Sequence, residues 1–179
     1  MALKATVHRV ELAVADLDRH YYEDHNLTLA RHPSETNERL MVRVLAFALN
    51  AAARLEFGRG LSHEDEPALW RKSLTNEVEL WIDVGHPDER RLRRACGLAQ
   101  HVKVYCYAGR ASELWWRQNA AALTRLSNLS VDILRVPEID CLVERTMRLQ
   151  CTIEGGYAWL SNGDMQCEAI VESLLSATR

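Results

Sequence analysis

The sequence predicts an α/β domain with a mixed sheet, parallel strands at its centre, helices on its faces and hairpins at its edges. Two observations carry this. Residues 77–84 and 102–107 are largely apolar strands separated by a helical stretch, a βαβ unit whose strands run parallel with a right-handed crossover. At both ends of the chain, side chains alternate with period two, as strands facing a core on one side do.

Taken in order, residues 6–14 place Val10, Leu12 and Val14 on one face of a strand. Asp16-Leu17-Asp18-Arg19 supplies a turn, and residues 20–31 return as a second strand. Pro33 opens a helix, because its missing N–H costs nothing there. Ser34 and Glu35 suit the exposed amides of its first turn. Leu40, Met41, Val44, Leu45 and Ala48 then recur at helical spacing to about Ala52. Residues 54–57 read as a short strand and 58–76 as mostly loop. The run Glu-Val-Glu-Leu-Trp-Ile-Asp-Val, residues 77–84, is a strong strand stopped by Gly85.

Pro87-Asp88-Glu89 then starts a helix with Leu92, Ala95, Cys96 and Ala99 as its apolar stripe. Residues 102–107 form the next strand, Gly109 precedes a third helix through Leu114, Trp115 and Leu123, and residues 129–134 give one more parallel strand. Residues 145–153 alternate through Met147, Leu149, Cys151 and Ile153. They turn at Gly155-Gly156 into residues 157–160 and again at Asn162-Gly163. No linker or internal repeat interrupts the 179 residues, so one domain, residues 1–179, is expected.

Composition narrows the function classes. The chain is 47% hydrophobic and 26% charged, which suits a soluble globular protein. No apolar run approaches the ~18 residues of a membrane span, and the N-terminus lacks a signal-peptide pattern. No membrane partner is therefore expected. Cys96, Cys106, Cys141, Cys151 and Cys167 form an odd set without Cys-x-x-Cys spacing, which argues against a disulfide framework or zinc site and for a reducing, cytoplasmic setting. The net charge of −3 counts against a dedicated non-specific DNA binder, though a small basic groove is compatible with it.

Several motifs then fall in one order along the chain. They are Arg31-His32-Pro33-Ser34-Glu35-Thr36 with Glu38-Arg39, Asp65-Glu66-Pro67, Leu80-Trp81-Ile82-Asp83-Val84-Gly85 and Pro87-Asp88-Glu89-Arg90-Arg91. Trp115-Trp116, Asn128-Leu129-Ser130-Val131 and Arg145-Thr146-Met147 with Leu149-Gln150 follow, and the N-terminal Met-Ala-Leu-Lys-Ala-Thr fits too. On these motifs the sequence resembles the YaeQ family of bacterial proteins. The resemblance implies a variant of the PD-(D/E)XK nuclease fold, a restriction-endonuclease-like core of helix, three-strand meander, helix and strand. Residues 33–107 give that order if the 58–76 region supplies the middle strand.

A site of that kind gathers carboxylates on Mg²⁺, a hard ion that prefers oxygen ligands, and adds a lysine to stabilise charge on the phosphate. The implied function is metal-dependent cleavage of phosphodiester bonds in nucleic acid. Asp83 is the best metal ligand, near the C-terminal end of a parallel strand, with Glu79 and Trp81 on its face. A solvated face, or a cap on the Pro87 helix, would equally account for it. Asp65 falls where the first acid of the fold belongs, with Glu66 an equal contender; a solvated loop cluster is the plain alternative. The resemblance gives Glu35 as the helix-borne acid of the site; a dipole partner or an ion pair with Arg39 would serve as well. Asp83, with Asp65 or Glu79, would hold Mg²⁺, and Glu35 would orient water or complete the shell.

One departure bears on activity. Gly85 stands where the pattern built on Asp83 wants lysine, leaving Lys72 or Lys103 as substitutes. The alternative function is therefore a non-catalytic nucleic-acid-binding, regulatory or protein-interaction module on a degenerate nuclease fold. Arg90, Arg91, Arg93 and Arg94 read as a solvated helix face balancing Asp88 and Glu89, or as phosphate contacts. Trp115-Trp116 read as core or interface anchors.

Overall fold

The structure is a computed structural model that describes residues 4–61, 63 and 65–178. Met1-Ala2-Leu3 of the N-terminal motif, Ser62 and Glu64 lie outside the described residues. The chain is organised as two compact units, each assembled from separate stretches. The first comprises Met1–Ala51, Arg59–Glu66 and Val136–Ile170; the second comprises Ala52–Gly58, Pro67–Arg135 and Val171–Arg179.

In the first unit, strands β1 (Thr6–Asp16) and β2 (Tyr21–Arg31) form the expected antiparallel hairpin. Strand β1 also pairs in parallel with β8 (Thr146–Glu154), Val10 opposite Met147 and Leu12 opposite Leu149. Strand β8 runs antiparallel to β9 (Tyr157–Ser161), which pairs with residues 166–170 of β10 (Gln166–Leu175). The alternation read in the sequence is the burial pattern: Val10, Leu12, Val14, Met147, Leu149, Cys151 and Ile153 are buried while their neighbours face out.

Helix α1 (Asn37–Asn50) belongs to this unit and starts four residues later than Pro33 suggests. The cap decides the start. The Thr36 hydroxyl accepts the Arg39 amide at 3.1 Å, while residues 32–35 form a turn closed from Glu35 N–H to the His32 carbonyl. The last turn has no basic residue of its own. Arg19, held by Asp16 at 2.6 Å, reaches in and donates to the carbonyls of Ala48 and Ala51, serving the negative end of the helix dipole from outside. A 3-10 helix, Ile139–Leu142, which periodicity does not announce, packs against α1.

The second unit contains β3 (Leu55–Phe57), β4 (Leu69–Lys72), β5 (Val78–Val84), α2 (Glu89–Leu98), β6 (Ala99–Cys106), α3 (Arg110–Leu123) and β7 (Leu129–Arg135). Strands β3, β4 and β5 are antiparallel neighbours; β5, β6 and β7 are parallel, as the βαβ pattern requires. The sequence reading misses β4 as a strand, assigning its residues to loop. Residues 171–175 of β10 belong here, beside β7. One sheet face carries Trp81, Val102, Val104, Cys106, Val131 and Ile133 against Leu92 and Ala95 of α2 and Trp115 and Leu123 of α3. Trp115 is thus a core anchor, and its indole N–H donates to the Pro87 carbonyl at 3.0 Å, as buried indoles usually do. No helix among the described residues is long and apolar enough to cross a membrane.

Candidate functional site

Asp83 sits one residue from the end of β5, and its side chain takes the face that packs on α2, because it pairs in register with Val104 and lies two positions beyond Trp81. A carboxylate there must be partnered. The partner is Arg91. Asp88 caps α2, its carboxylate accepting the Arg91 amide at 2.8 Å, and this start aims the Arg91 side chain back at the strand. Arg91 Nε and Nη2 each donate to one Asp83 oxygen at 2.8 Å, a two-pronged pair with Asp83 buried and Arg91 partly exposed. The guanidinium also lies 5.7 Å from the centre of the Trp81 ring. The Trp81 indole nitrogen is buried without a hydrogen-bond partner among the described residues.

The other acids are handled in the same way. Glu79 falls opposite the irregularity between Arg71 and Lys72 in the β4–β5 pairing. It is taken by Arg71 at 2.9 Å and Arg54 at 3.5 Å. In the first unit, Glu35 is buried between Arg39 and Arg43, each at 2.8 Å. Burial lowers the Arg43 pKa, opposed by the Glu35 charge. Glu35 precedes α1, so the reading that puts it in the first helical turn is corrected, although the pairing with Arg39 is present. Asp65 is exposed in the turn before β4. Its neighbour Glu66 forms a forked contact with Arg59, whose hydrogen bonds hold that carboxyl below the ordinary range.

Neither substitute lysine reaches Asp83 along the sheet. Lys103 occupies the strand position between Val102 and Val104 and so faces the opposite side, where Asp132 lies. Burial raises the Asp132 carboxyl, with the Lys103 charge opposing it. Lys72 instead rests its ammonium 3.6 Å above the Trp70 ring, and Trp70 meets Trp81 edge-on across the β4–β5 pair. Trp70 and Trp81, flanked by Lys72 on one side and Arg91 on the other, therefore form a cation–indole–indole–cation ladder ending on Asp83. The sequence signal for the ladder was a buried acid on a helix-facing strand position followed by arginine just inside the next helix.

Beside the ladder, Gly85 turns the chain with φ of +106°, a conformation reserved for glycine, and donates to the Tyr105 carbonyl. That conformation gives the glycine a backbone role where the nuclease pattern wants lysine. His86 follows, with Nε2 at 2.8 Å from Ser112 Oγ and its ring stacked on Tyr107. The Ser112 hydroxyl donates to the Tyr107 carbonyl and is fully buried, so the pair is a clamp between strand ends, not an activated nucleophile. Burial lowers the His86 pKa, with a hydrogen bond to Tyr107 acting the other way.

This arrangement does not fit Mg²⁺. Both Asp83 oxygens are spent on Arg91, Glu79 is shared by two arginines, and no group of three or more His, Cys, Asp or Glu that could hold a metal occurs among the described residues. What the ladder offers outward is the positive charge of the partly exposed Lys72 and Arg91, since Trp81 is buried in the core.

Comparison with known proteins identifies the lineage. The YaeQ protein family model matches residues 1–171. The YaeQ protein of Escherichia coli K12 is 46% identical over 165 residues, covering 90% of this chain and 91% of its own length; that of Salmonella typhi is 47% identical over the same span. The crystal structure of YaeQ from Xanthomonas axonopodis pv. citri superposes with a TM-score of 0.91 at 45% identity, covering 96% of this chain and 99% of that one. The Pseudomonas syringae YaeQ structure gives 0.91 at 34% identity, with 98% of both chains covered. These names state no activity. With a family model matched along nearly its whole length and relatives close to half identical, the chain belongs to the YaeQ family.

Proposed function

We propose that this protein binds nucleic acid on a PD-(D/E)XK nuclease-like core whose hydrolytic metal site has been replaced by arginine–carboxylate pairing. Support for the core comes from chain order. Helix α1, the antiparallel meander β3-β4-β5, helix α2 and the parallel strand β6 follow one another as that fold requires. Support for lost hydrolysis comes from one observation, the forked Arg91–Asp83 pair where a metal ligand belongs.

Binding chemistry comes from the same region. Helix α2 carries Arg90, Arg91, Arg93 and Arg94 within ten residues, and Lys72 and Arg91 flank the indoles. Guanidinium and ammonium groups are what phosphates engage in sequence-tolerant binding. Hydrolysis is not required for any of these interactions.

The test is fluorescence anisotropy with labelled single- and double-stranded oligonucleotides between 20 and 200 mM salt, roughly the range over which phosphate contacts weaken binding. Replacing Arg90, Arg93 and Arg94 with alanine should make the salt dependence shallower, by about 0.7–0.9 in log–log slope for each phosphate no longer neutralised. Absence of salt-dependent binding by the wild type would sink the binding half of the proposal. Oligonucleotide cleavage by wild type with Mg²⁺ or Mn²⁺, abolished in Asp83→Ala, would sink the other half and restore the hydrolytic reading.

A further inference from the structure

Far from the ladder in sequence, in the first unit, two thiols meet. Cys141 lies on the 3-10 helix Ile139–Leu142 and is exposed; Cys167 lies on β10 and is buried. Their sulfurs are 3.6 Å apart, and Cys167 Sγ also contacts the Glu138 carbonyl at 3.6 Å. Glu138 adopts a left-handed φ of 57° at the entry to the 3-10 helix, a turn that swings Cys141 over the strand. We propose that Cys141 and Cys167 are a peroxide-modification site that closes reversibly into an intramolecular disulfide.

Exposure fixes the order of events. Hydrogen peroxide reaches the Cys141 sulfur first; the thiolate attacks one peroxide oxygen, the O–O bond breaks, and Cys141 becomes sulfenic acid with release of hydroxide. Cys167 then attacks the sulfenyl sulfur, forming the S–S bond and expelling the hydroxyl, which leaves as water with the Cys167 proton. Overall, two thiols and one peroxide give one disulfide and two waters. Closing the gap to the ~2 Å of an S–S bond needs only a small movement of the exposed partner.

The remaining thiols make poor competitors. Cys106 and Cys151 are buried and pushed up to about 12, and burial holds Cys96 at about 11. Burial also pushes Cys167 up to about 11, so it does not meet the oxidant first; it is fitted to resolve the sulfenic acid by position, with its sulfur 3.6 Å from that of Cys141. The product would staple the 3-10 helix, which packs on α1, to strand β10.

The experiment is hydrogen peroxide treatment of the full chain followed by intact mass and peptide mapping. The expected product is lighter by two hydrogens, carries a Cys141–Cys167 cross-link, and reverts with dithiothreitol. Its Tm should exceed that of the reduced protein by roughly 5–10 °C, from closure of the intervening loop. Cys141→Ser should form no cross-link, and Cys167→Ser should stop at a Cys141 sulfenic acid that dimedone traps. Wild type that resists peroxide, that reaches Cys141 sulfinic acid without cross-linking, or that links only between molecules would overturn the proposal.

Discussion

Replacing Arg91 with alanine strikes the centre of the ladder. The variant leaves Asp83, whose side chain is 6% exposed, without the two 2.8 Å hydrogen bonds that neutralise it. Removing one member of a fully buried pair costs about 3–5 kcal/mol. Arg91 is 27% exposed, so water recovers part of that loss, and about 2–3 kcal/mol is expected once its packing on Trp81 is included. Urea unfolding followed by tryptophan fluorescence reads this directly, since Trp70, Trp81, Trp115 and Trp116 all belong to the second unit. The midpoint should fall by about 1 M. Adding Asp83→Asn to Arg91→Ala should recover stability, because the double variant no longer buries an unpaired charge. A midpoint within about 0.2 M of wild type, or a double variant whose loss is the simple sum of the two single losses, would refute the view that Asp83 is held by Arg91.

Three further outcomes follow from the same geometry. Glu35→Gln should cost about 3 kcal/mol in chemical unfolding, because Arg43 stays buried after losing its counter-charge, whereas Glu35→Asp should cost less. Thr36→Ala should cost about 1 kcal/mol and Thr36→Ser close to nothing, since only the hydroxyl caps α1. Because the folded His86 pKa lies below its unfolded value, the unfolded chain binds more protons as pH falls, so the contribution of His86 is intact above its unfolded pKa and is lost as pH drops toward the folded one. Urea midpoints at pH 7.5 and 5.5 (about one unit either side of the unperturbed imidazole pKa) should differ more in wild type than in His86→Asn; equal differences would show that His86 carries none of the acid sensitivity.

Local pattern made much of this fold legible. Alternation gave β1 and β8, the turn after β1 gave its returning strand β2, and the apolar runs gave β5, β6 and β7, because burial on one face or two leaves a periodic trace. Strand β4 left none: Leu69-Trp70-Arg71-Lys72 is four residues long, with a basic half, and follows a turn-rich stretch. The start of α1 was misplaced because Pro33, Ser34 and Thr36 all carry N-terminal signals and only the hydroxyl geometry chooses among them. The parallel pairing of β1 with β8 is non-local and has no sequence trace. At the site, the sequence marked Asp83 as an acid needing a partner but supplied a metal where the fold supplied Arg91. Strand-to-helix ion pairs follow no fixed spacing. The Cys141–Cys167 pair was hidden for the same reason.

The β1–β8 pairing also sets a timetable for synthesis. His8 on β1 finds its partner, the Glu144 carbonyl, 136 residues further along the chain. At ordinary translation rates the β1–β2 hairpin must wait on the order of ten seconds with one strand edge unclaimed. An open edge of that length invites pairing with other chains. The outward side chains of β1 include Arg9 and Glu11, charges that discourage stacking by a neighbouring nascent chain while the native partner is still being made. Substituting both with valine should therefore leave the finished fold standing yet lower the yield of soluble protein, a cost visible only while the chain is being built.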